Sequence, residues 1–444
     1  MQPVDVAVIG AGVSGLTAAR AITAAGKSCV VLEARDRVGG RTMKGEICGL
    51  PVDVGGQWVG PGQTRVLAML HTLGLETFPQ FHSGRHVLEL NGRLSRYTGL
   101  IPKMPLMGLV GTIMSLAKIN RLAKSVSAEA PWLAARAAEF DAMTAQAGLE
   151  KLTKNPDARA VLDITTRAIW SGEPRDLSWL WFLAYVAAAG SIEALADVGN
   201  AAQQDRVEGG AWQIAMRLAQ GLDVRLQEPV SQLLREDGEF RIVHANGETR
   251  AKRVIMAMAP ELSADIAVSN NILQRRATLA KRMPMGKVIK ALLAYDRPFW
   301  RDQGYSGQIV GNTAAFGPIF DACLPGDERG FLVGFFEADA AAEVRDQTAD
   351  QRRDIAHAVV HRAFGGTAPP PIAYTEHDWT QDPWSRGCYV GLAQPGLLTE
   401  LGEGLRKPVD GVHWAGTETA RQWIGYIDGA IEAGERAASE VLSA

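Results

Sequence analysis

A chain of 444 residues with 47% apolar side chains is long enough for about two to three domains and can fill their cores. A net charge of −3 provides no basic footprint for a nucleic-acid partner. Cys29, Cys48, Cys323 and Cys388 stand far apart, without metal or disulfide spacing, which fits a reducing cytosol. Residues 1–5 run straight into a strand pattern with no basic and apolar leader, so no secretory signal is expected. The longest apolar stretch, residues 104–117, is interrupted by Pro105 and glycines and reads as too short to span a bilayer. The expectation is a soluble cytoplasmic protein without a membrane anchor.

Residues 4–42 carry the first strong motif. Val4, Val6, Val8 and Ile9 read as a buried parallel strand. It enters a glycine turn, Gly10, Gly12 and Gly15, that opens an Ala-rich helix through Val13 and Ser14. Residues 29–32 read as a second strand ending in Glu33, followed by Ala34 and Arg35. This is the dinucleotide fingerprint in its required context. Gly10 permits the tight turn, Gly12 lets backbone N–H groups approach a pyrophosphate, and Gly15 lets the helix pack on the strand. Glu33 suits a ribose hydroxyl and would repel a 2′-phosphate. The run R-D-R-V-G-G-R-T then brings a second glycine pair and an arginine, Gly39, Gly40 and Arg41, for which a nicotinamide dehydrogenase has no need.

Residues 52–56 read as a strand entering the turn Gly55, Gly56, Gln57, Trp58, and a helix over 64–73 stops at Gly74. Residues 105–190 are helical in pattern, and residues 177–186 are apolar on nearly every side, as in a buried helix that forms core or lines a cavity. After E-G-G-A-W-Q-I-A-M, residues 224–260 alternate as an antiparallel meander containing Val230, with Asn246-Gly247 as a hairpin turn. V-I-K-A-L-L-A-Y and F-L-V-G-F-F are strand-like, residues 350–363 helical, and the end of the chain offers the strand V-H-W-A and a last helix. His357 and His361 have i,i+4 spacing but lack a zincin glutamate and a third ligand, so no metal is expected. No G-x-S-x-G nucleophile motif appears.

Three blocks together resemble the flavin-containing monoamine oxidases of the FAD-dependent amine oxidase superfamily: the fingerprint, M-G-K-V-I-K near residue 290, and S-R-G-C-Y-V-G followed by W-A-G-T-E-T-A-R-Q-W-I-G-Y-I-D-G. The resemblance covers nearly the whole chain. It implies a mixed α/β fold: a Rossmann-like FAD-binding domain (1–78, 208–280 and 382–444) interleaved with a substrate domain of helices and a mixed sheet (79–207 and 281–381).

The resemblance also implies site roles. Gly416, Thr417 and Glu418 would form a second phosphate or flavin cradle, Gly55, Gly56, Gln57 and Trp58 would reach the flavin ring, Gly39, Gly40 and Arg41 would extend the anion-binding surface toward the FAD phosphates, and Val230, Trp384, Gly425, Tyr426 and Ile427 would lie beside the cofactor. Tyr389 and Tyr426 match the two rings of an aromatic cage for the amine. Lys290 matches a lysine that holds a water against flavin N(5); alternation puts Lys287 on the opposite strand face. Cys388 matches a cysteine joined to the flavin by a thioether, with a free buried thiol as the alternative. The following V-G-L-A-Q-P departs from the family pattern. Ile169, Leu195, Ala196, Asn200, Gln203 and Pro318 fall at cavity-lining positions. Glu193 and Asp197 read as a solvated face that could receive a second cationic amine.

The implied activity is oxidation of an amine to an imine, with oxygen reduced to hydrogen peroxide. Alternatives are a putrescine-type diamine oxidase, a cyclic or secondary amine (nicotine-type) oxidase or dehydrogenase, and a non-catalytic flavoprotein. A homodimer is compatible with the apolar stretch at 104–117.

Overall fold

The structure is a computed structural model that describes residues 3–99, 103–268 and 274–443. Its frame is a parallel sheet in which Asp223–Arg225, Cys29–Leu32, Val4–Ile9, Gly247–Ala257 and Val412–Ala415 lie side by side. β-Branched residues in the short first strands suit burial on both faces. Helix Val13–Ala24 returns across one face and packs with the last helix, Ile427–Ser443, through Val13, Leu16, Ile431 and Ala437. A Cβ at Gly15 would stand 2.0 Å from the Gly10 carbonyl oxygen, so glycine is what allows this helix to lie on its strand.

Strand Gly247–Ala257 joins the parallel and antiparallel parts of one mixed sheet. Residues 247–251 pair antiparallel with Glu239–His244, and residues 251–256 pair parallel with Val4–Ile9. The hairpin at Asn246-Gly247 is present. The alternating run from 224 is two strands instead of one. Asp223–Arg225 joins the parallel edge and Val230–Glu236 the meander, because Gln227 at φ 58° and Pro229 break the chain between them.

A second sheet of seven strands runs in the order Ala373–Asp378, Val288–Tyr295, Gly330–Glu337, Phe316–Asp321, Tyr305–Gly311, Arg85–Leu90, Arg93–Tyr97. The last two strands come from a segment that carries no clear strand signal in sequence. Both faces of Val288–Tyr295 and Gly330–Glu337 are buried, which explains their continuous apolar runs. Helix Ala349–Ala363 flanks this sheet, capped by Thr348 and Gln351.

Helices Leu106–Ala123, Pro156–Trp170 and Trp179–Ala189 form a third layer. Ser178 caps the last by accepting the Leu180 and Trp181 N–H groups, and its hydroxyl donates to Asp141 (2.6 Å). Helix Trp179–Ala189 is core along most of its length; Phe182 stacks on Trp170 (4.6 Å) and Trp179 (4.8 Å). Helix Leu106–Ala123 ends six residues beyond the apolar stretch 104–117 read from sequence. It is long and apolar enough to cross a membrane by length and composition. It buries Gly108, Thr112, Ser115 and Ile119 and exposes Leu106, Met107, Val110, Ile113 and Met114.

Candidate active site

Two cavities meet above the carboxyl edge of the parallel sheet. The first, about 220 Å³, is lined by the fingerprint turn and by Val230, Trp384, Cys388, Gly416 and Thr417. The second, about 470 Å³, lies between the helical layer and the second sheet. Gly56, Tyr389, Gly425, Tyr426 and Ile427 line both, so the wall between the cavities is made of the residues that the sequence assigns to the flavin ring and its cage.

The smaller cavity has the chemistry of a dinucleotide cleft. Gly12 caps helix Val13–Ala24 without a side chain, leaving first-turn N–H groups aimed at the cleft. Glu33 is buried and accepts the Ala11 N–H (2.7 Å) and the Arg35 N–H (3.0 Å). Ser14 Oγ accepts the Gly416 N–H (2.9 Å), which ties the first glycine turn to the second. These residues fit the adenosine and pyrophosphate half of FAD. Ala34, Arg35, Gly40 and Arg41 also line the cleft, and Trp384 is 41% exposed at its rim.

Two assignments change in detail. The Arg41 guanidinium pairs with the fully buried Glu418 (2.6 Å) and donates to the Tyr389 carbonyl oxygen (2.9 Å). Its charge is spent inside the protein, so its contribution toward phosphate is smaller than the sequence suggests. Glu418 therefore holds Arg41 and the Gly391 N–H and does not line the cleft.

In the larger cavity, Gly55, Gln57 and Trp58 form one end. Lys290 lies directly behind them, 3% exposed, and donates to the Gly55 carbonyl oxygen (2.7 Å) and Gln57 Oε1 (2.5 Å). Burial lowers its pKa to about 7; Asp53 opposes that shift and Arg206 adds to it. Lys287 is exposed because it lies one residue before strand Val288–Tyr295; alternation is not the reason, since both faces of that strand are buried.

The Tyr389 hydroxyl donates to Glu337 (3.0 Å), and the Tyr426 hydroxyl donates to the Leu195 carbonyl oxygen (3.3 Å). Burial raises the pKa of both phenols and, far more than its tyrosine partner offsets, that of Glu337. A Cβ at Gly425 would meet the Tyr185 hydroxyl at 2.0 Å, so glycine there lets the chain pass Tyr185 and present Tyr426.

Ile169, Leu195, Ala196, Gln203 and Pro318 all line this cavity. Gln203 Nε2 donates to the Leu195 carbonyl oxygen (3.0 Å), while its Oε1 is buried without a partner. Asn200 does not line the cavity. Its φ of 54° and the bond from its N–H to Gln204 leave the residue exposed outside. Glu193 is also outside the lining and accepts from Asn120 (2.8 Å), whereas Asp197 lines the cavity. Sequence reasoning missed His82, His86, Tyr97, Tyr185 and Phe335 in the wall. Phe335 was within reach, since it lies in the continuous apolar run of strand Gly330–Glu337; His82 and His86 carry no local signal. Cys388 is buried in the cleft wall, and burial pushes its thiol up to about 12. His361 Nδ1 bonds to the Ala368 carbonyl oxygen, and among the described residues no three potential ligands converge on a metal position.

A nucleotide cleft that opens through two tyrosines onto an apolar chamber defines a dinucleotide-dependent oxidoreductase. A family model described as flavin containing amine oxidoreductase matches residues 13–442. A probable flavin-containing monoamine oxidase A of Dictyostelium discoideum is 37% identical, over 98% of this chain and 97% of that protein. The flavin-containing amine oxidase B of Homo sapiens is 34% identical, over 99% of this chain and 86% of that protein. Among solved structures, wild-type putrescine oxidase bound to putrescine matches with a TM-score of 0.95 at 31% identity, covering 100% of both chains. Cyclohexylamine oxidase from Brevibacterium oxydans matches at 0.95 and 30% identity, covering 100% of this chain and 99% of that one. The chain belongs to the flavin-containing amine oxidase family, with FAD as its cofactor.

Proposed function

We propose that this enzyme oxidises a small amine to an imine, which hydrolyses to a carbonyl compound, while oxygen is reduced to hydrogen peroxide. The observation that carries this reading is the pair Tyr389 and Tyr426 on the shared wall of the two cavities, with Lys290 buried behind the same wall. FAD, when bound, supplies the two-electron acceptor. The protein's own part is to bind, orient and exclude water. The tyrosine rings hold the amine by their aromatic surfaces, and their hydroxyls are engaged by Glu337 and the Leu195 carbonyl oxygen. With both phenols held protonated, neither is a base, so the amine must arrive at the cage as the neutral form. Lys290, with its lowered pKa, is suited to hold a water or pass a proton beside Gln57.

An amine panel read out by peroxide tests this. Turnover of at least one primary amine is expected; FAD-loaded protein that makes no peroxide from any of them would sink the reading. Cys388, in the cleft wall, is proposed as a covalent attachment point. Acid precipitation then leaves the yellow colour in the pellet, and colour wholly in the supernatant refutes the attachment.

A further inference from the structure

The large chamber contains one charge that the proposed chemistry does not use. Asp197 follows helix Ile192–Ala196 and lines the cavity. Its Oδ1 accepts the Val198 N–H (2.7 Å). Among the described residues no Lys, Arg or His lies within ion-pair distance of it. The neighbours that sense its charge are His86 and Tyr97, and His82 lies against His86. His86 gives its Nδ1 to Ser306 Oγ (2.6 Å), and burial, assisted by His82, favours its neutral form. Tyr97 is held as the neutral phenol by burial and by Asp197. Neither His86 nor Tyr97 neutralises the carboxylate.

An unpaired carboxylate in a chamber whose wall includes Val161, Ile164, Ile169, Leu195, Val310 and Phe335 is a ready partner for an incoming cation. Its position is tied to the cage. Leu195, two residues earlier, carries the carbonyl oxygen that receives the Tyr426 hydroxyl. Two residues of chain span at most about 7 Å. The carboxylate therefore stands one short carbon chain from the ring that holds the reacting nitrogen.

We infer that Asp197 is a specificity-determining residue that receives a second, cationic group of the substrate, so that the preferred substrates are diamines or comparable aminoalkyl cations. This rests on the amine oxidase reading above. The reacting amine enters neutral at Tyr389 and Tyr426, and the distal amine stays protonated at Asp197. The apolar wall between them fits a methylene chain and sets its length.

The test compares cadaverine with n-hexylamine, which have equal heavy-atom counts and differ in the distal charge. The wild-type enzyme is expected to favour cadaverine in kcat/KM by about tenfold or more, the scale of a desolvated charge pair. Asp197→Asn keeps the acceptor for the Val198 N–H and removes the charge. It is expected to raise KM for cadaverine by about tenfold and to move n-hexylamine by less than about twofold. Equal use of the two amines by wild type, or equal losses for both in the variant, would overturn the assignment. If neither amine is turned over, binding replaces turnover as the readout, and the amine oxidase reading is left to the wider amine panel. Calorimetric titration of the FAD-loaded protein with the same two amines then still decides the point: tighter cadaverine binding that Asp197→Asn abolishes supports it, and indifference to the substitution refutes it.

Discussion

The cofactor cleft and the amine chamber share a wall but are built by opposite means. The cleft is made by backbone: glycine turns, an uncapped helix N-terminus and one buried carboxylate, most of it from residues 9–42 and 416–430. The chamber is made by side chains from segments scattered between Gly55 and Ile427. A backbone site tolerates almost no substitution where chain passes chain. A side-chain site can exchange its lining while the fold stands, and this is how one scaffold serves relatives named for putrescine and for cyclohexylamine.

The sharpest break of that comparison uses two glycines three positions apart. A Cβ at Gly15 meets the Gly10 carbonyl oxygen at 2.0 Å, while a Cβ at Gly12 has no protein atom within 4 Å, and Gly12, at φ −71°, has a backbone any residue adopts. Gly15→Val is expected to abolish soluble flavoprotein. Gly12→Ala is expected to fold with an unchanged melting temperature as apoprotein but to lose FAD on gel filtration, because the space it fills is the cofactor's. FAD retained at full occupancy by Gly12→Ala would mean that close backbone approach at Gly12 does not make the cleft.

That contrast also explains what the sequence could show. Gly10, Gly12, Gly15 and Glu33 are legible because close backbone approach demands glycine at fixed spacing, and the parallel strands because burial on two faces demands apolar runs. Strand Arg85–Leu90 was not legible, since it joins the sheet only by pairing with Tyr305–Gly311, more than 200 residues away, and Arg93–Tyr97 joins only through Arg85–Leu90. His82 and His86 entered the wall with them. Arg41 was legible as a cleft residue but not as the partner of Glu418, because a contact between residues 377 apart has no local trace.

Lys290 probes the shared wall. Lys290→Met is expected to lower kcat by about a hundredfold, the scale of a lost proton-handling group, with FAD content unchanged. The same variant is expected to gain thermal stability, by an amount that depends on pH. The folded-state pKa is depressed to about 7, below the value of about 10.4 for an unfolded lysine. Between those values the unfolded chain binds the proton and the folded one does not, so wild-type stability rises with pH across that window. The melting-temperature advantage of Lys290→Met is therefore largest at neutral pH and below and shrinks toward pH 10. A pH-independent difference would show that Lys290 titrates normally, and its role beside Gln57 would need another basis.

The smallest effects separate a position aligned to the chamber from one that lines it. Gln203 braces the Leu195 carbonyl oxygen that also receives the Tyr426 hydroxyl, and its free Oε1 is buried. Gln203→Leu removes one hydrogen bond from that junction, so kcat/KM for a primary amine should fall by about three- to tenfold, the range of one net hydrogen bond. Asn200 is exposed at φ 54°. Asn200→Ala should leave kcat/KM within about twofold, yet cost about 1 kcal/mol of stability, because alanine is poorly suited to a left-handed backbone. The two substitutions thus cross: one moves kinetics with little change in melting temperature, the other the reverse. A kinetic loss at Asn200 equal to that at Gln203 would place Asn200 in the chamber after all. It would also show that the loop after Asp197 closes over the amine during turnover, making part of the side-chain site as position-sensitive as the glycine turns opposite.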